Sequence, residues 1–260
     1  MRITSDGVVV RQRNIGERDR LITVLTRDQG MITAYANGAR APRSPLASST
    51  ELLTYSNFVL FEYKGRVTVD AASAEQVFFG IRQDVELLAL GAYLAQLCTE
   101  VLPEGEQDPQ CLRLLLNSLY LLNEKKRTPD FIKPVFELRL LALSGFMPDL
   151  VACRGCGCYE HEAMYFLPQQ GELCCGDCLP EGETGALPLA PGVLAAMRYI
   201  LYSDFEKLFA FSLPDQGLRQ LSAVSQTYLL TQLEREFPAL TFYQSVRMPA
   251  ETPPKQPDEK

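Results

Sequence analysis

Two pairs of cysteines, each with the spacing Cys-x-x-Cys, constrain this chain more than any other feature of its sequence. The pairs are Cys153/Cys156 and Cys175/Cys178, and 18 residues separate them. This spacing is typical of a structural zinc site, because tetrahedral Zn²⁺ binds four thiolates and each short turn aims two of them at one ion. The sequence therefore predicts a zinc module in which residues 159–174 fold back as a short hairpin.

Three further residues in the same region leave the ligand set open. Cys158 forms a Cys-x-Cys with Cys156, and Cys174 forms a Cys-x3-Cys with Cys178, so each offers an alternative thiolate. The equal spacing of the first two pairs favours those four ligands. His161, the single histidine of the sequence, is expected to be a loop residue rather than a substitute ligand. Four thiolates close the coordination shell, which indicates a structural zinc. The alternative is that the cysteines are reduced thiols and that no metal is present.

The composition is that of a soluble protein with more than one domain. The chain has 260 residues, of which 47% are hydrophobic and 22% charged, and this length allows two or three cores. No apolar run reaches the roughly 18 residues that cross a bilayer, and no apolar signal segment is present at the start. We therefore expect a cytoplasmic protein that does not enter a membrane, in which eight cysteines favour metal over disulfides.

The charge is distributed unevenly along the chain. The net charge is −7, yet residues 1–82 hold 11 Lys and Arg against 8 Asp and Glu, while the remainder holds 14 against 24. Such asymmetry is found where one half of a protein binds an anionic partner. Because the first half is only mildly basic, this charge alone is weak support for nucleic-acid binding.

The first 82 residues are predicted to form a small β-barrel. Five β-rich segments separated by polar turns are expected at 7–12, 20–26, 31–36, 52–63 and 66–71. Alternation along the first of them places Val9, Arg11 and Arg13 on one face. A polar loop at 37–49, with two prolines, separates the third and fourth strands. Five short strands of this kind form a closed barrel, and the OB-fold is one such solution.

Eight basic side chains in this predicted barrel are candidates for binding DNA phosphates. They lie on the first strand, just after the first turn, in the long loop and around the last turn: Arg11, Arg13, Arg18, Arg20, Arg40, Arg43, Lys64 and Arg66. For each of them taken singly, a solvated surface charge is as good an explanation as a DNA contact. Five aromatic residues are candidate stacking platforms, although most of them are expected in the barrel core: Tyr35, Tyr55, Phe58, Phe61 and Tyr63.

The rest of the chain is predicted to be helical, with the zinc module inserted. Apolar periodicity and capping residues predict helices at 84–102, 109–123, 131–144, 191–203 and 217–237. The fold class is therefore α+β and multidomain, with the barrel at 1–82, helices at 83–150, the zinc module at 151–180, further helices at 181–248 and a disordered tail at 249–260. No phosphate-binding glycine loop and no nucleophile elbow occur, so a binding protein is expected rather than an enzyme.

The order of these parts, together with several short segments, resembles the bacterial RecO family of DNA-repair proteins. The matching segments are GERDRLITVLT at 16–26, Gly30, GAR at 38–40, FELRLLALSGF at 136–146 and Pro148. The resemblance implies an N-terminal OB-fold and a C-terminal helical domain that carries zinc. It also implies a non-catalytic mediator of repair and homologous recombination, which binds single- and double-stranded DNA, anneals complementary strands and helps to load recombinase.

The same resemblance implies partners and site residues. The partners are RecR, RecF, the single-stranded-DNA-binding protein that coats the strands and the recombinase filament, and the location is the nucleoid. Five basic residues in the matched segment inherit the DNA-binding role: Arg11, Arg18, Arg20, Arg40 and Arg43. The loop after Arg40 has fewer basic residues than many relatives carry, which implies weaker or more RecR-dependent binding.

Three alternatives remain open at the level of the residues. The first is a zinc-containing adaptor that binds proteins through its acidic helical part and does not bind DNA. The second is a zinc enzyme in which His161 is a ligand of an open site. The third is a zinc-dependent transcription regulator, which would prefer one duplex sequence over others.

Overall fold

A closed five-stranded barrel occupies the N-terminal part of the protein. The computed structural model describes residues 1–102 and 107–247, so the predicted disordered tail at 249–260 lies outside the described residues. The strands are β1 (Arg2–Ile15), β2 (Asp19–Thr26), β3 (Met31–Ala36), β4 (Tyr55–Tyr63) and β5 (Arg66–Gln76), and they close in the order β1-β2-β3-β5-β4. Neighbouring strands are antiparallel except β3 and β5, which pair in parallel. The predicted OB-type barrel is confirmed.

β1 is longer than the predicted segment at 7–12 and contributes to two hydrophobic cores. Its pairing with β2 shifts between Val9 and Arg11, which makes Val10 the extra residue of a β-bulge. Val9 packs inside the barrel, whereas Val8 and Val10 belong to the core of the helical part. Beyond the bulge, Arg11 and Arg13 lie on the outer surface, so the prediction that they share a face with Val9 is wrong.

The segment between β3 and β4 has neither helix nor strand, as predicted for residues 37–49, but it is closely packed. Leu46 is buried in the barrel core. Thr50 and Thr54 are fully buried. The fourth strand begins at Tyr55 rather than at residue 52, because Leu53 has a φ of 61°, a left-handed conformation that a strand does not adopt.

Seven helices follow the barrel within the part of the chain that the structure describes. They are α1 (Phe79–Arg82), α2 (Val85–Val101), α3 (Pro109–Asn123), α4 (Pro129–Leu143), α5 (Pro191–Tyr202), α6 (Asp215–Leu233) and α7 (Pro238–Val246). The carboxylates of Asp84 and Asp108 cap α2 and α3 by accepting backbone N–H groups. The predicted helix at 217–237 ends earlier, at Leu233, because Glu234 is left-handed with a φ of 49°, and a separate helix, α7, begins at Pro238.

A buried polar cluster joins three of these helices. Glu137 of α4 is fully buried, and its carboxylate accepts hydrogen bonds from Tyr93 of α2 at 2.7 Å and from Ser225 of α6 at 2.6 Å. Lys133, one turn earlier on α4 and 2% exposed, places its Nζ 2.8 Å from the same carboxylate. Burial next to Glu137 raises the pKa of Tyr93 well above its usual value, so its hydroxyl remains a donor. Because each group needs the others, the cluster fixes how α2, α4 and α6 align.

The cysteine-rich segment forms a small sheet between α4 and α5 in the sequence. Its strands are β6 (Asp149–Cys153), β7 (Met164–Leu167), β8 (Glu172–Cys175) and β9 (Leu187–Leu189), in the order β6-β8-β7-β9. β7 and β8 form the predicted hairpin, and Gly171 with a φ of 68° lies at its bend. No helix of residues 1–102 and 107–247 is long and apolar enough to cross a membrane.

Candidate metal centre and nucleic-acid interface

Four cysteine sulfur atoms meet at one end of the small sheet. Cys153 and Cys175 are the last residues of β6 and β8, and Cys156 and Cys178 follow them in tight turns. The four Sγ atoms all lie within 4.8 Å of one another, and those of Cys156 and Cys175 are 3.7 Å apart. Zn–S bonds of about 2.3 Å in a tetrahedron place sulfur atoms about 3.8 Å apart. The donor set and its spacing therefore fit one metal ion of the zinc type.

Backbone groups around Cys153 favour its thiolate, which is the form that binds metal. Burial raises the pKa of Cys153, but the backbone N–H groups of Cys156, Cys175 and Gly155 outweigh burial and lower it to about 5. Gly155 is required by the turn itself, since a Cβ there would lie 2.9 Å from the Cys178 sulfur. The first turn is thus arranged so that the Cys178 sulfur, rather than a side chain at position 155, fills the space beside it.

The three alternative ligands lie outside this group of four. His161 is held by its own loop, because Nε2 lies 3.2 Å from the Asp177 carboxylate and Nδ1 lies 3.1 Å from the Ala163 carbonyl oxygen. Cys174 is buried at 1% exposure. The Cys158 thiol lies beside those of Cys156 and Cys175 but is not one of the four sulfur atoms that all lie within 4.8 Å of one another. The structure brings together the four cysteines that equal spacing favours.

Arg198 of α5 connects the cysteine module to the helices, and no local sequence pattern marks it. Its guanidinium donates to the carbonyl oxygens of Leu150 at 2.7 Å and Tyr159 at 2.8 Å. It also lies 3.8 Å from the centre of the Tyr159 ring, in a cation–π contact. One side chain therefore holds both β6 and the loop that precedes β7.

Several predicted DNA-binding residues lie on the outer surface of β1, β2, β3 and β5, which we call the barrel face. Strand pairing places Arg13 opposite Leu21, Leu21 opposite Tyr35, and Tyr35 opposite Thr68. The outward-facing residues of these strands include Arg11, Arg13, Leu21, Thr23, Thr33, Tyr35, Arg66 and Thr68. Arg11, Arg13 and Arg66 are exposed there, and the Arg66 guanidinium lies 4.0 Å from the centre of the Tyr35 ring.

Arg18 and Arg40 lie side by side at the corner where the β1–β2 turn meets the long loop. The backbone N–H of Arg40 donates to the Arg18 carbonyl at 2.8 Å, and the Arg40 guanidinium donates to the Gly16 carbonyl at 3.2 Å. The N–H of Gly38 donates to the Asp19 carboxylate at 2.7 Å. The segments GERDR and GAR, far apart in sequence, thus form one corner that presents both exposed arginines. Exposed Arg43 lies further along the same loop.

Arg20 has a structural position that distinguishes it from the other arginines. Its side chain is 12% exposed, and its guanidinium donates to the Ala47 carbonyl at 2.8 Å and to Thr50 Oγ1 at 3.0 Å. Burial lowers the pKa of Arg20, although the nearby Glu51 carboxylate opposes this. These bonds hold the long loop against the barrel, so Arg20 is left out of the interface that we propose below.

The candidate stacking residues divide into two groups. Phe58 is fully buried in the barrel core, and the Tyr55 hydroxyl donates to the Asp6 carboxylate. Tyr35, by contrast, lies on the barrel face. Phe61 and Tyr63 are exposed on β4, and Lys64 lies 5.4 Å from the centre of the Tyr63 ring.

The protein belongs to a class that combines an OB-type barrel with a helical part carrying a four-cysteine metal module. Comparison with known families identifies this class. The family model described as "Recombination protein O N terminal" matches residues 1–78, and the family model described as "Recombination protein O C terminal" matches residues 82–241. The chain therefore belongs to the RecO family of DNA repair proteins, and its role lies in DNA repair and recombination. The resemblance inferred from the sequence is confirmed.

Curated relatives agree with this assignment over nearly the whole chain. DNA repair protein RecO of Acetivibrio thermocellus is 37% identical over 244 residues, which cover 94% of this chain and 97% of that protein. DNA repair protein RecO of Symbiobacterium thermophilum is 33% identical over 245 residues, with 93% and 96% covered. The protein of the same name from Alkaliphilus metalliredigens is 30% identical over 236 residues, with 90% and 95% covered.

Proposed function

We propose that this protein is a non-catalytic mediator of DNA repair and homologous recombination. It binds single- and double-stranded DNA through its barrel, anneals complementary strands and helps to load recombinase with RecR and RecF. The observation that carries this proposal is the set of exposed cations on one barrel and its adjoining loops: Arg11, Arg13, Arg18, Arg40, Arg43, Lys64 and Arg66.

The mechanism is electrostatic. Arginine and lysine side chains neutralise phosphates and release the counterions condensed on DNA. Neutralisation lowers the repulsion between two strands, so that complementary strands held on the same surface pair more readily. The corner formed by Arg18 and Arg40 adds two cations next to the barrel face, where a strand that crosses Arg11 and Arg13 would continue.

The cysteine module has a structural role in this proposal. A zinc ion bound by Cys153, Cys156, Cys175 and Cys178 would hold β6 and β8 together, and structural zinc contributes on the order of 10 kcal/mol or more to the folding of small modules. Through Arg198 the module is tied to α5, so the helical surface that meets protein partners depends on it. The single-stranded-DNA-binding protein and RecR are the partners that we propose for this part of the chain, at the nucleoid.

The dependence of DNA affinity on salt tests the interface. Each neutralised phosphate changes the slope of log K against log salt by roughly 0.7 for single strands and 0.9 for duplex DNA. A variant with Arg11, Arg18, Arg40 and Arg43 changed to alanine should therefore flatten the slope by roughly 3 units. Fluorescence anisotropy with a labelled oligonucleotide measures it, with and without RecR.

A matched control removes four exposed cations from the helical part: Lys125, Lys126, Lys207 and Arg219. It changes the net charge by the same amount but should leave the slope unaltered. An equal effect of both variants would show that only net charge matters and would reject the barrel face. If the wild-type protein binds neither single- nor double-stranded DNA at low salt, alone or with RecR, the function would instead be that of a protein-binding adaptor.

A further inference from the structure

We infer that three aromatic side chains beside the barrel face stack on unpaired bases and make the protein favour single-stranded over double-stranded DNA. We call them the stacking patch: Tyr35, Phe61 and Tyr63. This inference rests on the proposed function, because it says how the same surface distinguishes between the two kinds of DNA.

The exposure of the β4 aromatics has no structural reason within the barrel. Phe61 is 47% exposed and Tyr63 is 62% exposed, whereas Phe58 on the same strand is fully buried. Residues two apart on a strand point to the same side and lie about 7 Å from each other. Two neighbouring aromatic side chains on one outward face form an apolar surface of the kind that marks an interaction site.

Strand pairing joins this pair to the barrel face. Tyr63 lies opposite Arg66, and Phe61 lies opposite Thr68. Thr68 in turn pairs with Tyr35 across the parallel contact between β3 and β5. Arg66 lies over the Tyr35 ring at 4.0 Å, so a guanidinium plane continues the surface between two aromatic rings. The patch is therefore one continuous surface built from three strands.

Cations lie next to the patch on both sides. Lys64 contacts the Tyr63 ring at 5.4 Å, and Arg13 belongs to the row that continues from Tyr35 through Leu21. A nucleic-acid strand can then place its phosphates on the cations while its bases lie on the rings. This combination of a cationic track and aromatic rings is the general arrangement of sites that hold single strands.

Selectivity follows from the accessibility of the bases. A duplex keeps the faces of its bases stacked inside the helix, so the rings gain nothing from it, whereas every unpaired base offers a free face. Phosphate contacts are available to both kinds of DNA. The stacking patch should therefore add affinity for the single strand alone.

The first test removes the two exposed rings in the variant Phe61→Ala/Tyr63→Ala. Stacking of one base on one ring changes affinity by roughly 5- to 150-fold, so binding of a labelled 20-nucleotide single strand should weaken about 10-fold or more. Binding of the same sequence as a duplex should change less than about 2-fold, because its phosphate contacts are kept. The control is Phe242→Ala, which removes an aromatic ring on α7 that is 54% exposed.

The second test uses the absence of tryptophan from the sequence. Tyr63→Trp and Phe242→Trp each introduce a single tryptophan, one in the patch and one on α7. Single-stranded DNA should quench the emission at position 63, duplex DNA should leave it nearly unchanged, and position 242 should respond to neither.

The outcomes separate this inference from the proposed function. The stacking patch alone would be overturned by equal losses of affinity for both kinds of DNA or by no loss for either. It would also be overturned by a tryptophan at position 63 that is not quenched although the protein is seen to bind the single strand. Wild-type protein that binds neither DNA would overturn the proposed function, and the stacking patch with it.

Discussion

Removing one charge from the buried cluster around Glu137 should cost a large part of the stability of the helical part. In Lys133→Met, the carboxylate of Glu137 stays buried and keeps only the hydroxyl donors of Tyr93 and Ser225. Breaking a buried ion pair by removing one partner typically destabilises a protein by about 3–5 kcal/mol. Because two donors remain, we expect a loss of about 3 kcal/mol for this variant.

The complementary change, Glu137→Gln, should cost about 4 kcal/mol, since Lys133 is 2% exposed and would keep its charge without an anion. The double variant Lys133→Met/Glu137→Gln contains neither charge. Its loss should be about 2 kcal/mol, since one hydroxyl loses its acceptor but no buried charge is left unpaired. The double loss is thus well below the sum of the single losses, which is the sign of a coupled pair.

Urea unfolding followed by far-ultraviolet circular dichroism measures these three losses against the wild type at one pH. Ser225→Ala is the control, because it removes one neutral donor and should cost about 1–2 kcal/mol. Additive losses in the double variant, or a loss below about 1 kcal/mol for Lys133→Met, would show that Lys133 and Glu137 do not form a coupled ion pair within α4.

Two further predictions concern the metal and a carboxylate of the barrel. Cys175→Ser should abolish the zinc binding that we propose and speed hydrogen exchange across residues 150–180, whereas Cys158→Ser should change neither; a Cys175→Ser variant that still binds zinc would contradict the ligand set. For Asp6, burial raises the pKa, but hydrogen bonds from Arg27 and Tyr55 outweigh it and place the pKa below 3.8. Its contribution to stability is therefore present above pH 3.8 and is lost as the pH falls through the folded pKa. Asp6→Asn should be less stable than the wild type at pH 7 and equally stable at low pH. A difference in stability that does not change with pH would refute this.

Features that depend on short stretches of sequence could be predicted. Each Cys-x-x-Cys turn involves only four consecutive residues, so its spacing in the sequence predicts which four sulfur atoms come together. Asp108 caps α3 for the same reason, because a cap involves only the next few residues. The strands of the barrel were identified by alternation, although β1 extends beyond its prediction because its ends pair with β2 and β4.

Features that depend on distant pairing could not be predicted. The bulge at Val10 arises from the register between β1 and β2 and reverses the side to which Arg11 points. The burial of Arg20 depends on carbonyl and hydroxyl groups in a loop that follows a later strand. The grouping of Tyr35 with Tyr63 requires the parallel contact between β3 and β5, which no local pattern indicates.

The double use of β1 limits how this chain can be taken apart. A fragment that ends at residue 78 would expose Val8 and Val10, whose side chains are buried against the helices. The barrel is therefore not an interchangeable building block, and a chimaera between relatives would have to match both halves at this strand. Arg11 follows the bulge directly, so any shift of the helices against Val10 would also move the backbone next to an arginine that we propose as a phosphate ligand.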